Sequence, residues 1–451
     1  MQATYIPCVN TPEAINLGPE NLAATLARYS RSNKGIHKLL EEAQNKKAEE
    51  IFKFIDYGHA SIGGLTGGIA IAIDDVSMIC ALKLFEFSQQ ADGQESSTRY
   101  ITLSPESLLP PSKLGIPDAI IPLWMDTCLQ GLKLYEYCLP ELTAIAHINP
   151  KVLNLPNETV IDEKVKKRLI KNYALDRSRN FLPVGLKTNV ALIMSARAWA
   201  ETLKMLGSIN LPETNHVANE IRKELGKAAP NLIRHSYPDR ASQNAVQELL
   251  TPWENQPLNP NLKNEKVCSC QISLHNPDQS FIPNNLSVSR AFLGKTNRYS
   301  ATGNWVKRQT IQVGWDAVAI AEIRDLNRHR NGYRCSNLYP CGFSIPPETL
   351  SLLTKNMPNQ LTAFLQGQAA LAEALSNTKV PGLYAMGLFL GSQTAFEHTQ
   401  PLDKFIYEAE LRTGLGAHFK YCELLTQATN ELFKLHPCLR PFIQLGTAEP
   451  E

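Results

Sequence analysis

The sequence predicts a mixed α/β (α+β) fold built as two tandem copies of one unit, each a small sheet packed with long helices. Three observations carry this. An apolar segment alternates with period two over Ile69 to Ile73, as a half-buried strand does. Several longer stretches carry apolar residues at helical spacing, among them Val217, Ile221 and Leu225. Finally, the second half repeats the grammar of the first: a polar segment (KTNRYSATGNW), an apolar element (IQVGWDAVAIAEI), a charged cluster (RDLNRHRNGYR), a Pro/Gly loop (YPCGF), then helices.

Composition fits such a chain. At 451 residues it exceeds one small core, and 43% hydrophobic with 20% charged residues supplies ample apolar material for folding. A formal charge of +2 gives no global field for nucleic acid or a membrane surface, so any anion site must be local. The ten cysteines are scattered without the paired CxxC spacing of a zinc site, so no metal is expected and the thiols read as reduced and mostly buried. MQATYIPCVNTPEAINL has no basic region followed by an apolar core, and no segment approaches eighteen uninterrupted apolar residues. The expectation is a cytoplasmic protein.

In chain order, the first fifty residues read as two helices, one through Leu22, Leu26 and Tyr29 and one over Ile36 to Phe54. The strand at Ile69 to Ile73 precedes a helix from about Val76 to Ser88, then a loop with Gly93. A helix between Pro110 and Leu139 is bounded by prolines, Pro140 included. Lys164 to Ala174 reads as a short charged helix. Pro183 and Gly185 introduce a long amphipathic helix to about Leu206, with Arg197 beside Val190, Ile193, Met194 and Leu203. A helix from about Pro212 to Lys227 carries Arg222. Residues 241–288, rich in Pro and Asn, read as a linker between a first domain (1–240) and a second (289–451).

GHAS (Gly58 to Ser61), the apolar element, ESSTRY (Glu95 to Tyr100), SRNFLP (Ser178 to Pro183), SARAW and ANEIR follow in the order seen in flavin-dependent thymidylate synthases, and the chain resembles that family. The second half resembles it again through Arg328-His329-Arg330 and through YEAELR, whose Arg412 is read as the counterpart of Arg222. The resemblance implies a tandem, fused version of that fold. It implies an enzyme that methylates dUMP to dTMP at C5, with FAD, methylenetetrahydrofolate as carbon donor and NADPH as reductant. No protein nucleophile is implied. Family sites are assembled from several subunits, so a homodimer forming a pseudo-tetramer is expected.

In the family, RHR and the loop ending in E-x-S-x-R-Y form one motif, and here its two ends are separated. Counting back from Tyr100, Phe87, Ser88 and Gln89 stand where RHR belongs. The second half keeps RHR but follows it with NGYRCSNLY. The first half therefore reads as the nucleotide side. Glu95, Ser97, Arg99, Arg197 and Arg222 are its substrate-binding candidates: a nucleotide phosphate wants guanidinium forks and hydroxyl donors, which Ser97, Arg99, Arg197 and Arg222 could supply, with Ser97 and Arg99 orienting the substrate. The second half reads as the flavin side, a helix-borne Arg328, His329 and Arg330 supplying cations with a titratable ring between them; His59 and Ser61 join them by resemblance. Each feature has a plainer reading. RHR followed by Arg334 can be a solvated basic face, ESSTRY a helix cap, and Arg197 the partner of Glu201. The alternative for the whole chain is a catalytically degenerate nucleotide- or FAD-binding homologue, or an assembly partner.

Overall fold

The structure, a computed structural model, describes residues 1–6, 18–29, 42–43, 66–88, 91–96, 98, 103–153, 162–251, 262–275, 285–414 and 417–446. They fall into two compact units, one of Met1–Pro117 with Gly185–Glu248 and the other of Asp118–Val184 with Leu249–Glu451. The sequential division at residue 240 is thus not the spatial one, because residues 118–184 group with the C-terminal unit. Nor is 241–288 a bare linker: it holds most of the helix Arg240–Leu250 and the strand Cys270–His275.

In the first unit, β1 (Gln2–Ile6), β2 (Ile69–Ser77), β3 (Asp92–Glu95) and β4 (Lys187–Met194) form an antiparallel sheet in the order β1-β2-β4-β3. Ile69, Ile71 and Ile73 are buried on one face of β2 while Ala70 and Ala72 are half-buried on the other, as the alternation predicts. Of the helices read in the first fifty residues, α1 (Pro19–Tyr29) is present; most of the second lies outside the described residues, and β1 was not anticipated. After β2, Ser77 caps α2 (Met78–Phe87) by accepting the Cys80 amide, so the helix starts two residues later than the periodicity suggests.

The long helix expected up to Leu206 is instead β4 followed by α5 (Ala196–Ser208). Val190 and Met194 are four apart, a spacing that fits either period. Thr188, Val190, Leu192 and Met194 are all buried, whereas Ile193 is 48% exposed, so period two wins. Arg197 therefore shares its helix with Leu203 and not with Val190, Ile193 or Met194. Trp199, fully buried, donates its indole N–H to the Ile69 carbonyl at 2.9 Å and ties α5 to the sheet. The next helix, α6 (Pro212–Ala228), falls where expected.

The second unit repeats this plan. Its strands are β5 (Cys270–His275), β6 (Thr310–Ala319), β7 (Tyr333–Cys335), β8 (Gly342–Phe343) and β9 (Ser392–Pro401). They run antiparallel in the order β5-β6-β9-β7, with β8 added on β9, which is the same permutation as in the first unit. Even the irregularity is shared. β2 slips against β4 between Ile73 and Val76, and β6 slips against β9 between Trp315 and Val318. Internal duplication is therefore written in the register as well as in the order of segments.

Helices α3 (Ile121–Ile148) and α4 (Glu163–Ser178) intervene between β3 and β4 in sequence but belong to the second unit. There they pack with α9 (Pro347–Asn356) and α10 (Pro358–Ser376), which intervene between β8 and β9. Pro140, read as a helix boundary, lies inside α3; packing of the surrounding turns outweighs the one backbone hydrogen bond a proline forfeits. Phe181, Phe343 and Phe389 surround Phe364 edge-on at centroid distances of 5.4, 5.5 and 4.9 Å, a core worth about 0.5–1.5 kcal/mol per aromatic pair beyond area burial. Helices α8 (Ile320–Leu326), α11 (Leu402–Arg412) and α12 (Phe419–Leu435) follow β6 and β9 as α2, α5 and α6 follow β2 and β4.

Candidate functional site

Arg328, His329 and Arg330 are not helical: α8 ends at Leu326, and the triplet occupies the turn leading to β7. The turn closes through Arg328 and His329 amides on the Asp325 and Leu326 carbonyls, both at 3.2 Å. Gly332, at φ +87°, then redirects the chain. A Cβ there would run into the Thr399 carbonyl oxygen on β9. Gly332→Ala is expected to cost about 1–3 kcal/mol by forcing the turn off the sheet. A lowered urea midpoint with unchanged m-value checks this.

A single buried carboxylate organises the cations. Arg179, from the SRNFLP segment, donates through Nη2 to Asp325 Oδ2 at 2.8 Å and to the Ala321 carbonyl at 3.3 Å. Arg328 Nη2 lies 3.3 Å from the other oxygen, Oδ1, with half of its side chain exposed. Two motifs that are far apart in sequence thus meet on Asp325. Burial alone pushes the Asp325 carboxyl up, but Arg328 and Arg179 hold it well below the usual carboxylate range.

His329 is fixed from the opposite side. The Arg412 Nε–H, at the end of α11, donates to His329 Nε2 at 3.1 Å, which assigns the imidazole proton to Nδ1. Burial first, then the neighbouring Arg412, His398, Arg328 and Arg334, keep this ring neutral, well below its ordinary pKa. It is therefore not the titratable cation the sequence suggested. Tyr407 and Tyr421 stand 6.3 and 6.5 Å from it, centroid to centroid. Arg334, 1% exposed, is no solvated basic residue: it donates to the Asn327 carbonyl at 2.8 Å and holds the turn from beneath. Behind Arg412, Glu408 accepts from Gln400 (2.8 Å) and Tyr421 (2.9 Å), and burial pushes its carboxyl up to about 7. Arg330 is half-buried in the same turn.

The shared bulge identifies the first-unit counterparts. Counted from it, Glu86, Phe87 and Ser88 occupy the places of Arg328, His329 and Arg330, one residue earlier than counting back from Tyr100 suggests. Lys83 occupies the place of Asp325. Lys83 and Glu86 form a buried ion pair at 3.0 Å, the same i,i+3 contact with its charges exchanged. The anchor persists while the presented cation is gone. Conversely, β7 register on β9 puts Leu338 and Pro340 at the places of Ser97 and Arg99, and Leu338 is fully buried.

The nucleotide-side candidates are less gathered. Glu95, at the end of β3, accepts from the Thr188 hydroxyl at 3.3 Å. Arg197 is half-buried in the first turn of α5. Arg222 is committed to the fold: it donates to the Ser236 carbonyl (2.8 Å), the Leu203 carbonyl (3.2 Å) and Asn219 Oδ1 (2.8 Å), and lies over the Tyr237 ring. His59, Ser61, Gln89, Ser97 and Arg99 lie outside the described residues. Arg412 is not the counterpart of Arg222, because α11 follows β9 as α5 follows β4. It corresponds to Leu206, and Asp403 stands at the place of Arg197. Sequence reading passed over Asp325 and the roles of Arg334 and Arg412; the signal was the acid three residues before Arg328.

Among the described residues no helix is long and apolar enough to cross a membrane, and no cluster of His, Cys, Asp and Glu could hold a metal ion.

Fold and site together define a two-copy α+β protein whose second copy presents a buttressed arginine-rich turn. Residues 14–231 match the family model described as thymidylate synthase complementing protein. Through this stretch, and in its two-copy plan, the chain is similar to the flavin-dependent thymidylate synthase family as a divergent tandem homologue. It is 21% identical over 229 residues to a flavin-dependent thymidylate synthase of Clostridium tetani, a match covering 50% of this chain and 85% of that protein. Over 93% of its length it is 23% identical to a UPF0159 protein of Thermoplasma acidophilum, covering 94% of that relative. A UPF0159 protein of Chlamydia muridarum is 24% identical over 52% of the chain, which spans 47% of that longer relative.

Proposed function

We propose that the chain is a flavin-dependent thymidylate synthase, transferring a one-carbon unit from methylenetetrahydrofolate to C5 of a uracil nucleotide, dUMP to dTMP, with FAD and NADPH. The observation that carries this reading is Arg328: a half-exposed guanidinium locked on a buried carboxylate, beside a neutral ring whose tautomer is fixed. Such a turn fits FAD, because a pre-oriented cation suits its pyrophosphate and a neutral N–H donor suits a ring heteroatom. Arg328 and Arg330 would hold the anionic part and His329 Nδ1–H would orient the ring, with His59 and Ser61 as further flavin contacts. Flavin, when bound, supplies the redox chemistry. Glu95, Ser97, Arg99 and Arg197 would hold and orient the nucleotide, while Arg222 fixes α5 to α6.

The protein is expected to purify yellow and to form dTMP from dUMP. Arg328→Ala should lose the flavin, and Arg99→Ala should lose dUMP affinity while keeping the flavin. A colourless chain that takes up no FAD overturns the reading. We also propose that the working form is a homodimer resembling the family's tetramer. Activity restored by mixing Arg99→Ala with Arg328→Ala chains would support it, and a catalytically competent monomer would refute it. The second reading, a nucleotide-binding homologue without catalysis, is favoured by Glu86 and Leu338, which leave neither repeat with the whole family motif. In that case dUMP raises the melting temperature and no dTMP forms.

A further inference from the structure

The second unit contains a cleft of about 650 Å³ at the opposite end of α8 from the Arg-His-Arg turn, well within the size range of small-molecule sites. The β6 bulge and α12 wall it, Val318 and Leu424 giving it an apolar lining. Its rim is electrostatically settled. Lys266 pairs with Asp316 at 3.1 Å, and Lys420 with Glu423 at 3.2 Å. The Gln393 side chain is spent on the backbone of Lys266, and the Ser344 hydroxyl on Glu265.

Glu322 is the exception. This residue lines the cleft yet is only 4% exposed, and the closest side-chain nitrogen pairing with its carboxyl, His418 Nδ1, is 3.8 Å away, beyond hydrogen-bonding reach. A buried carboxyl beside a cavity, with its own main-chain amide as donor and no side-chain donor at bonding distance, is costly to ionise unless something else supplies one. The rim lysines cannot turn the cleft into an anion site, because acids neutralise both. What Glu322 lacks is a cationic N–H partner at bonding distance, and Val318 and Leu424 would offer a planar one apolar surface.

We infer that this cleft binds a small planar ligand bearing an amidine- or guanidine-type N–H edge, which docks on the Glu322 carboxylate through paired charge-assisted hydrogen bonds. This site is separate from the arginine turn and does not rest on the reading of that turn. Glu322 faces Lys420 on α12, His418 at the N-terminal cap of that helix, and Arg179 and Asp325 from the buried pair. Burial pushes it up to about 8, against the pull of Arg179 and Lys420. Docking a cation requires the ionised acid, so a proton leaves and affinity rises with pH until about 8, by up to about tenfold per pH unit.

Calorimetric titration of the full chain with benzamidine at about pH 6.5 and pH 8.5 tests this. The expected result is one saturable site that binds more tightly at the higher pH. Glu322→Gln should weaken it about tenfold or more, the scale of lost charge-assisted bonds. Gln427→Trp, a half-exposed rim substitution that fills the cleft without replacing Glu322, should abolish binding with the melting temperature kept, which covers the case in which Glu322→Gln fails to fold. Arg328→Ala should bind benzamidine as the parent does. Absence of saturable binding in the parent, or equal affinity in Glu322→Gln or in Gln427→Trp, overturns the inference.

Discussion

Replacing Asp325 by Asn is expected to cost about 3–5 kcal/mol of folding stability, the typical penalty for removing one partner of a buried ion pair. Arg179 would then be left with the Ala321 carbonyl and the lesser pull of Asp176 and Glu322, on a side chain only 6% exposed. Urea unfolding at neutral pH measures the loss. The double variant Asp325→Asn with Arg179→Met should be less damaged than the single one, because the stranded charge is gone as well; equal or additive losses would mean the pair is not coupled. The pH dependence has a definite sign. The Asp325 carboxyl is depressed in the folded chain, so the unfolded chain binds its proton more readily and stability falls as pH drops through the acid range. Asp325→Asn should flatten that limb. Glu322, pushed up to about 8, and Glu213 and Glu408, pushed up to about 7, act oppositely: folded, they keep protons that the unfolded chain releases near 4.5, so stability declines as pH rises from there through 7 to 8. Greatest stability should therefore lie on the mildly acidic side of neutrality.

The contrast between the repeats explains how much the sequence could disclose. Strand β2, helix α6 and the repeated order of segments rest on local periodicity, and local periodicity is what sequence displays. β4 was concealed because Val190 and Met194 satisfy two periods at once. The exchanged pair, Lys83–Glu86 against Asp325–Arg328, was concealed because it becomes visible only once the bulges align the two sheets. Counting from Tyr100 crosses the loop that differs between the repeats, whereas counting from the bulge does not. Arg222 misled for a related reason. A guanidinium bound to main-chain carbonyls leaves the same mark in sequence as one awaiting a phosphate, and only the partners tell them apart. The charge exchange leaves an i,i+3 pair in both repeats, while in the second repeat it is the half-exposed Arg328 that carries the positive member outward.

The second large effect is expected at His329. Its ring should stay neutral through the pH range in which an ordinary histidine titrates, with the proton on Nδ1, because protonating Nε2 would set two donors against each other across the 3.1 Å contact with Arg412. Nitrogen-detected NMR of ring-labelled protein reads both the tautomer and the titration. Arg412→Ala removes the donor and the neighbouring cation that acts most strongly on the ring, so the pKa of His329 should climb and its tautomer should begin to average. It should stop short of the ordinary value, since burial, the larger cause, remains, as do His398, Arg328 and Arg334. Arg412→Lys separates the two contributions: the charge stays near the ring but the rigid Nε–H is lost, so the pKa should remain low while the tautomer loosens. If flavin binds at this turn, the parent's affinity should be flat near pH 6, and Arg412→Ala should acquire a pH dependence there, about tenfold for each unit that protonation intrudes. A parent His329 that titrates near its ordinary pKa would show that Arg412 does not set the ring, and the turn would then present three cations, not two flanking a neutral donor.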